Sequence, residues 1–158
     1  MEGILFYIRN EFGKQLYEIF EGVVDPSWYW SVAPEEAYFA DPVSGLGAPF
    51  FGEKDAIMDG STFMNHISSE DYLLIFADIK AFPSLESVVE ITDEKEFMES
   101  TCKLGLIVSD SAQVIVYSRD KQLLLNIVDR AKSVGYEGIK FMERENLIAA
   151  VWGWLPKD

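Results

Sequence analysis

This sequence predicts an α+β fold: one domain holding a largely antiparallel sheet of about six to eight strands, with three to four helices packed on it. Three observations carry the prediction. Strand-like stretches follow one another at hairpin distance, "LGLIVSD" before "QVIVYS" and "GIKFM" before "NLIAAVW", and hairpins enforce antiparallel pairing. Between them lie stretches of helical period, "EFGKQLYEIF" and "KQLLLNIVDRAKSV". Finally, 158 residues with 49% hydrophobic and 25% charged side chains suit a single core, and no linker-like stretch divides them, so residues 1–158 read as one domain.

The elements are justified in turn. "GILFYIR" alternates Ile4, Phe6 and Ile8 against Leu5, Tyr7 and Arg9, a strand with bulky residues on both faces. Asn10 then caps a helix whose Phe12, Leu16, Ile19 and Phe20 recur at helical spacing. "WYWSV" and "EAYFA" read as a hairpin around Ala33 and Pro34, and "DPVSGLGAP" reads as a loop. After a short helix "TFMNHISS" comes "DYLLIFADIKAFP", the most apolar run in the chain. It reads as one central strand with Leu73, Ile75, Ala77 and Ile79 on one face. Asp78 and Lys80 share the other face, where the strand leaves the core, and read as a solvated surface pair. Thr92 or Asp93 caps "DEKEFMES", and Asp120 caps the strongest helix, which Gly135 ends. Because Tyr7-x-Arg9-Asn10 and Tyr117-x-Arg119-Asp120 both close a strand and open a helix, each end of the chain reads β-α-β-β.

Charge is the strongest compositional fact. The formal net charge is −14, and residues 1–79 carry 14 acids against 3 bases. Between Gln15 and Glu53 no Lys, Arg or His occurs, while nine aromatic residues do. Such a field repels phosphate backbones and anionic lipids and attracts basic proteins, so neither nucleic acid nor a membrane is an expected partner. The opening residues lack a basic n-region, no stretch reaches about 18 apolar residues, and the single cysteine excludes an internal disulfide. A cytoplasmic location is the natural expectation.

Chemistry-bearing groups are sparse, which points away from an enzyme. His66 and Cys102 are the one possible base–nucleophile pair, but no glycine-rich elbow surrounds the cysteine, and a free cysteine at a strand entrance usually fills the core. No metal motif, phosphate loop or cofactor signature occurs, so no cofactor is expected. Aromatic residues remain. Trp28 and Trp30 share a strand face, as Trp152 and Trp154 would on a terminal strand. With Glu35, Glu36, Tyr38 and Asp41, Trp28 and Trp30 form the candidate binding surface, aromatic and rimmed by acids.

Taken together, "GILFYIRNEFGKQLYEIF", "WYWSVAPEEAYF", "DYLLIFADIKAFP" and "LIVSDSAQVIVYSRDKQLL" resemble a small family of Gram-positive bacterial proteins of about this length, catalogued as a domain of unknown function. The resemblance implies a bacterial cytosolic protein and transfers no site residues. A looser likeness is to the small, acidic immunity proteins of bacterial toxin systems. The functional expectation is a non-enzymatic protein-binding module that presents its acidic aromatic surface to a basic protein such as a toxin. The alternative is a small-molecule-binding or enzymatic domain whose pocket is lined by Trp28, Trp30, Tyr38 and Phe39.

Overall fold

Strand-like alternation and helical periodicity alternate along the chain as the sequence suggests, but they assemble into two sheets. A computed structural model describes residues 1–33, 36–52 and 56–153. In chain order the elements are β1 (Glu2–Tyr7), α1 (Gln15–Phe20), β2 (Tyr29–Val32), β3 (Ala37–Asp41), β4 (Gly45–Pro49), β5 (Ala56–Asp59), α2 (Gly60–Ser69), β6 (Tyr72–Leu74) and β7 (Ala77–Phe82). Then follow α3 (Glu94–Glu99), β8 (Leu104–Ser109), β9 (Gln113–Ser118), α4 (Lys121–Ser133), β10 (Glu137–Phe141) and α5 (Arg144–Trp152). Seven strands form one antiparallel sheet in the order β10-β1-β9-β8-β7-β2-β5, and β4-β3-β6 form a second. The fold is therefore α+β with a dominant antiparallel sheet.

The large sheet is packed on both faces, which explains why its central strands read as continuous apolar runs. On one face Ile4, Phe6, Val116, Leu106, Ile79 and Trp30 meet Leu16, Phe20, Phe63 and Leu124 from α1, α2 and α4. On the other face Leu5, Ile115, Ile107, Tyr117 and Phe82 meet Phe97 of α3 with Leu147, Val151 and Trp152 of α5. Within the first core, Trp30 stacks on Phe63 with ring centroids 4.1 Å apart.

Capping chemistry holds where it was legible and is replaced where it was not. Asp93 and Asp120 accept from the Glu96 and Leu123 amides and start α3 and α4 as expected. Asn10 does not cap α1, which begins only at Gln15 and has no side-chain cap of its own. Its free amides turn instead to Tyr72: the hydroxyl accepts from the Leu16 and Tyr17 N–H groups at 3.1 and 3.4 Å and donates to the Ile67 carbonyl at 2.9 Å. One phenol from β6 thereby satisfies the start of α1 and the last turn of α2.

Four expectations are corrected. The stretch from Tyr72 to Phe82 is not one strand: β6 joins the small sheet and β7 the large one. Both the Ile75 and Phe76 amides donate to the Glu36 carbonyl between them, so the inward-facing set restarts at Ala77, and Ile75 is only partly buried. Next, β2 and β3 do not form a hairpin; β2 lies between β7 and β5, whereas β3 lies between β4 and β6. Pro34, at the expected turn, lies outside the described residues. The glycine-rich 45–49 stretch, expected as loop, pairs with β3 as a strand. Finally, "NLIAAVW" is helix α5 rather than a strand, because an apolar run with no polar alternation fits a buried helix as well as a buried strand. The C-terminal end therefore reads β-α-β-α, and the echo between the two ends stops short.

These placements set a stability test. Ile79 is fully buried in β7, so Ile79→Ala should cost about 2–5 kcal/mol in urea unfolding. Ile75→Ala, at the break between strands, should cost about 1–2 kcal/mol. Equal losses would mean that one unbroken strand runs through both positions.

Candidate functional site

The row of residues paired across the large sheet runs Gly3, Tyr117, Gly105, Lys80, Ser31 and Ile57, one from each of six strands. All project toward the second face. Tyr117 is flanked by two glycines, and both are required by close approach. A Cβ on Gly105 would sit 2.1 Å from Cζ of Tyr117 and 2.3 Å from its hydroxyl oxygen. A Cβ on Gly3 would fall 2.5 Å from a methyl of Leu147 in α5. The Tyr117 ring therefore lies across β8, and its hydroxyl is carried toward Lys80, the next residue in the row.

Asp78 stands one pleat away on the same face and pairs with Lys80, Oδ1 to Nζ, at 2.8 Å. The expectation of a solvated pair is corrected: the side chains of Asp78 and Lys80 are only 18% and 15% exposed. The segment from Val88 to Thr92 and the end of α5 stand over this part of the sheet. Together with the pair they border a half-open cavity of about 520 Å³, lined by Asp78, Lys80, Ser31 and Tyr117 on the sheet side and by Val88, Val89, Ile91, Val151 and Trp152 opposite. Its size falls in the range of small-molecule sites.

Tyr117 is the unusual member. It is fully buried, and its hydroxyl has no hydrogen-bond partner among the described residues. Burial pushes its ionisation well above the usual range, with the nearby Asp78 carboxylate adding to the effect, so the phenol stays a neutral donor. Four other buried polar atoms share the lack of a partner: Gln15 Oε1, Trp30 Nε1, Glu94 Oε2 and the Tyr136 hydroxyl. Of the five residues, Tyr117 alone lines this cavity. Its ring is held by edge contacts with Phe97 and Trp152, centroids 5.2 and 5.4 Å away.

The residues singled out from sequence are placed as follows. Trp30 is fully buried between Phe20 and Phe63, and so belongs to the core. Trp28, partly buried 6.5 Å from it, borders a separate shallow groove beside Asp25 and Asp120. Tyr38 is half-buried in β3, paired with Pro49 and Leu73. Asp41 closes the β3–β4 turn, accepting from the Val43 and Ser44 amides, which hold its carboxyl below the usual range. Glu36 is exposed, Phe39 packs edge-on against Phe50, and Glu35 lies outside the described residues, as does Trp154.

Cys102 and His66 do not form a dyad. Cys102 is buried in the second core with its thiol against the Leu104 carbonyl, and burial pushes that thiol up to about 12. His66 belongs to α2, stacked on Phe50 with its Nε2 2.5 Å from the Phe50 carbonyl oxygen. Among the described residues no group of three or more His, Cys, Asp or Glu could hold a metal ion, and no helix is long and apolar enough to cross a membrane.

Sequence reasoning weighed Asp78 and Lys80 but set them in solvent, and it passed over Tyr117 and Trp152 as site residues. One signal was available. Gly105, inside an otherwise bulky strand and opposite Tyr117 in the hairpin, marks a place where something crosses the backbone closely.

A profile described as "Protein of unknown function (DUF2691)" matches residues 1–152. An uncharacterised protein of Bacillus subtilis (strain 168), YncE, is 28% identical over 144 residues, which is 91% of this chain and 93% of that protein. No solved structure matches.

The geometry sets a test of the ion pair. Asp78→Asn leaves the Lys80 ammonium without its carboxylate in a partly shielded site and should cost about 1–3 kcal/mol in urea unfolding. Adding Lys80→Met should recover part of that loss, because no charge is then left alone. A single variant within about 0.5 kcal/mol of the parent would place the pair in open solvent after all.

Proposed function

The chain belongs to the DUF2691 family, whose description names no activity, and from that premise we propose that it is a small-molecule-binding domain whose ligand occupies the cavity between Asp78, Lys80, Tyr117 and Trp152. One observation carries this reading: Tyr117, whose buried hydroxyl has no partner among the described residues, backs a 520 Å³ cavity beside a partly shielded ion pair. An unpartnered buried hydroxyl costs about 1–3 kcal/mol, and phenylalanine would fill the same space without that cost. A ligand that draws the sealed hydroxyl toward the cavity and accepts from it gives it the missing bond. Binding without turnover fits the described residues, since the cysteine thiol is held protonated and the histidine is engaged with Phe50 on another element.

A second reading, a protein-binding module of the immunity-protein kind, is favoured by the charge distribution alone. The excess of 14 acids over 3 bases in residues 1–79 includes the exposed Glu36 and the half-buried Asp41. A field of that sign speeds encounter with a basic protein more than it prolongs the complex.

Each reading makes its own prediction. For the first, Tyr117→Phe should raise the melting temperature of the ligand-free protein, while native mass spectrometry of protein purified from its own cytosol should show loss of a retained small molecule. A lowered melting temperature would mean that the hydroxyl has a structural partner, and the cavity reading would fall. For the second, replacing Glu35, Glu36 and Asp41 by their amides should slow association with a basic protein recovered by pull-down and flatten its salt dependence. The matched change of Asp110, Glu143 and Glu145 should do much less. Equal, wild-type rates across a salt series would make the acidity a solubility device.

A further inference from the structure

We infer that the ligand of this cavity is an α-amino acid zwitterion with a large apolar side chain, an inference that rests on the cavity reading above and specifies its chemistry. The argument begins with the ion pair. Asp78 and Lys80 neutralise each other at 2.8 Å at the floor of a half-open cavity. A ligand that carried only a negative head would draw the Lys80 ammonium away and leave the Asp78 carboxylate alone in a partly shielded site. A ligand with only a positive head would strand the ammonium in the same way. Leaving one member of a shielded pair without its partner is among the more expensive changes a protein interior can undergo. A zwitterion inserts between the two groups, pairs with each, and keeps the site neutral.

Geometry assigns the ends. Tyr117 and Lys80 stand on the same cross-strand row, separated by Gly105, whose missing side chain lets the phenol reach across β8. Both are donors, the phenol because burial keeps its proton on and the lysine because it is an ammonium. The Lys80 ammonium suits a carboxylate, with the Tyr117 phenol behind it as a second donor from the strand beyond β8. Asp78, two residues along β7 from Lys80 on the same face, then takes the ligand's ammonium, with Glu90 exposed at the rim as a second acid. Opposite the charged row the wall is apolar, formed by Val88, Ile91, Val151 and Trp152, and it receives the side chain. A charged head fixed by a few polar groups, with an apolar body against hydrophobic and aromatic residues, is the ordinary division of labour in such sites.

Isothermal titration calorimetry on the full chain tests this with four probes that share a phenyl group and differ in the charge of the head. They are L-phenylalanine, the cation L-phenylalaninamide, the anion N-acetyl-L-phenylalanine and the neutral 3-phenylpropionamide. L-phenylalanine should bind, and each of the other three should bind at least about tenfold more weakly, because a singly charged head leaves one protein charge without a counter-charge and the neutral head forms no ion pair at all. In Lys80→Met the preference for the zwitterion over L-phenylalaninamide should vanish, and in Asp78→Asn its preference over N-acetyl-L-phenylalanine should vanish. Should either variant fail to fold, the probe series on the unaltered chain decides alone. A singly charged or neutral probe that binds as tightly as L-phenylalanine overturns the assignment, and so does the absence of binding by all four. The two proposals fail differently. A retained small molecule of another charge class overturns the zwitterion and leaves the cavity reading standing. No retained molecule, no probe binding and a destabilising Tyr117→Phe overturn both.

Discussion

The Tyr117 ring can cross β8 only because residue 105 carries no side chain, and much of the second face depends on that crossing. With a Cβ at 105 the ring would meet it 2.1 Å away and would have to swing out of the space between Phe97 and Trp152. Those two side chains come from α3 and α5, so the ring is the common surface on which both short elements dock. The same constraint shapes the cavity. A tyrosine lying over its neighbouring strand leaves no room for bulk at Gly105 and carries a polar group toward the next strand, where Asp78 and Lys80 stand. Packing and chemistry at this face are set by one small residue opposite one large one.

Tyrosine plays a different part on the opposite face. The Tyr72 hydroxyl makes its bonds to α1 and α2, while its ring stacks on Phe50 with centroids 4.1 Å apart. Its burial also holds the phenol protonated, which the donated bond to the Ile67 carbonyl requires. Tyr72 and Tyr117 are both fully buried. One is satisfied by the protein on both its donor and its acceptor side, and the other, among the described residues, on neither. The Tyr136 hydroxyl in the first core shares that lack, so what sets Tyr117 apart is its place beside the cavity and the charged pair.

Legibility in the sequence followed the range of the physics. Asp93 and Asp120, whose caps act within three residues, were readable, as was the β8–β9 hairpin, whose two strands are separated by a short turn. Asn10 failed as a cap because the amides of α1 are satisfied by Tyr72, 56 residues away from Leu16. The break at Ile75 and Phe76 was hidden for a related reason. An apolar run gives no sign of which sheet each half joins, and the choice is made by the Glu36 carbonyl from a distant segment. Helix α5 was read as a strand because its apolar residues lie on all sides, as expected of an element pressed into a second core that the sequence did not announce. Once a second core exists, a charged pair on that face of β7 stops being a surface pair.

That last step connects the fold to the site. A sheet with one packed face would have left Asp78 and Lys80 in water, where their attraction is worth roughly 0–1 kcal/mol and carries no information. Here the second layer is short. Among the described residues, α3 and α5 cover the part of the sheet built from β1, β9 and β8, and that covering thins over β7, β2 and β5, where Ile57 is 53% exposed. The charged pair sits at the boundary between the covered and uncovered parts of that face. A partly closed boundary is where a neutralised ion pair can be both shielded enough to be selective and open enough to be reached. The polar site is thus a consequence of a second layer that, among the described residues, covers only part of a seven-stranded sheet.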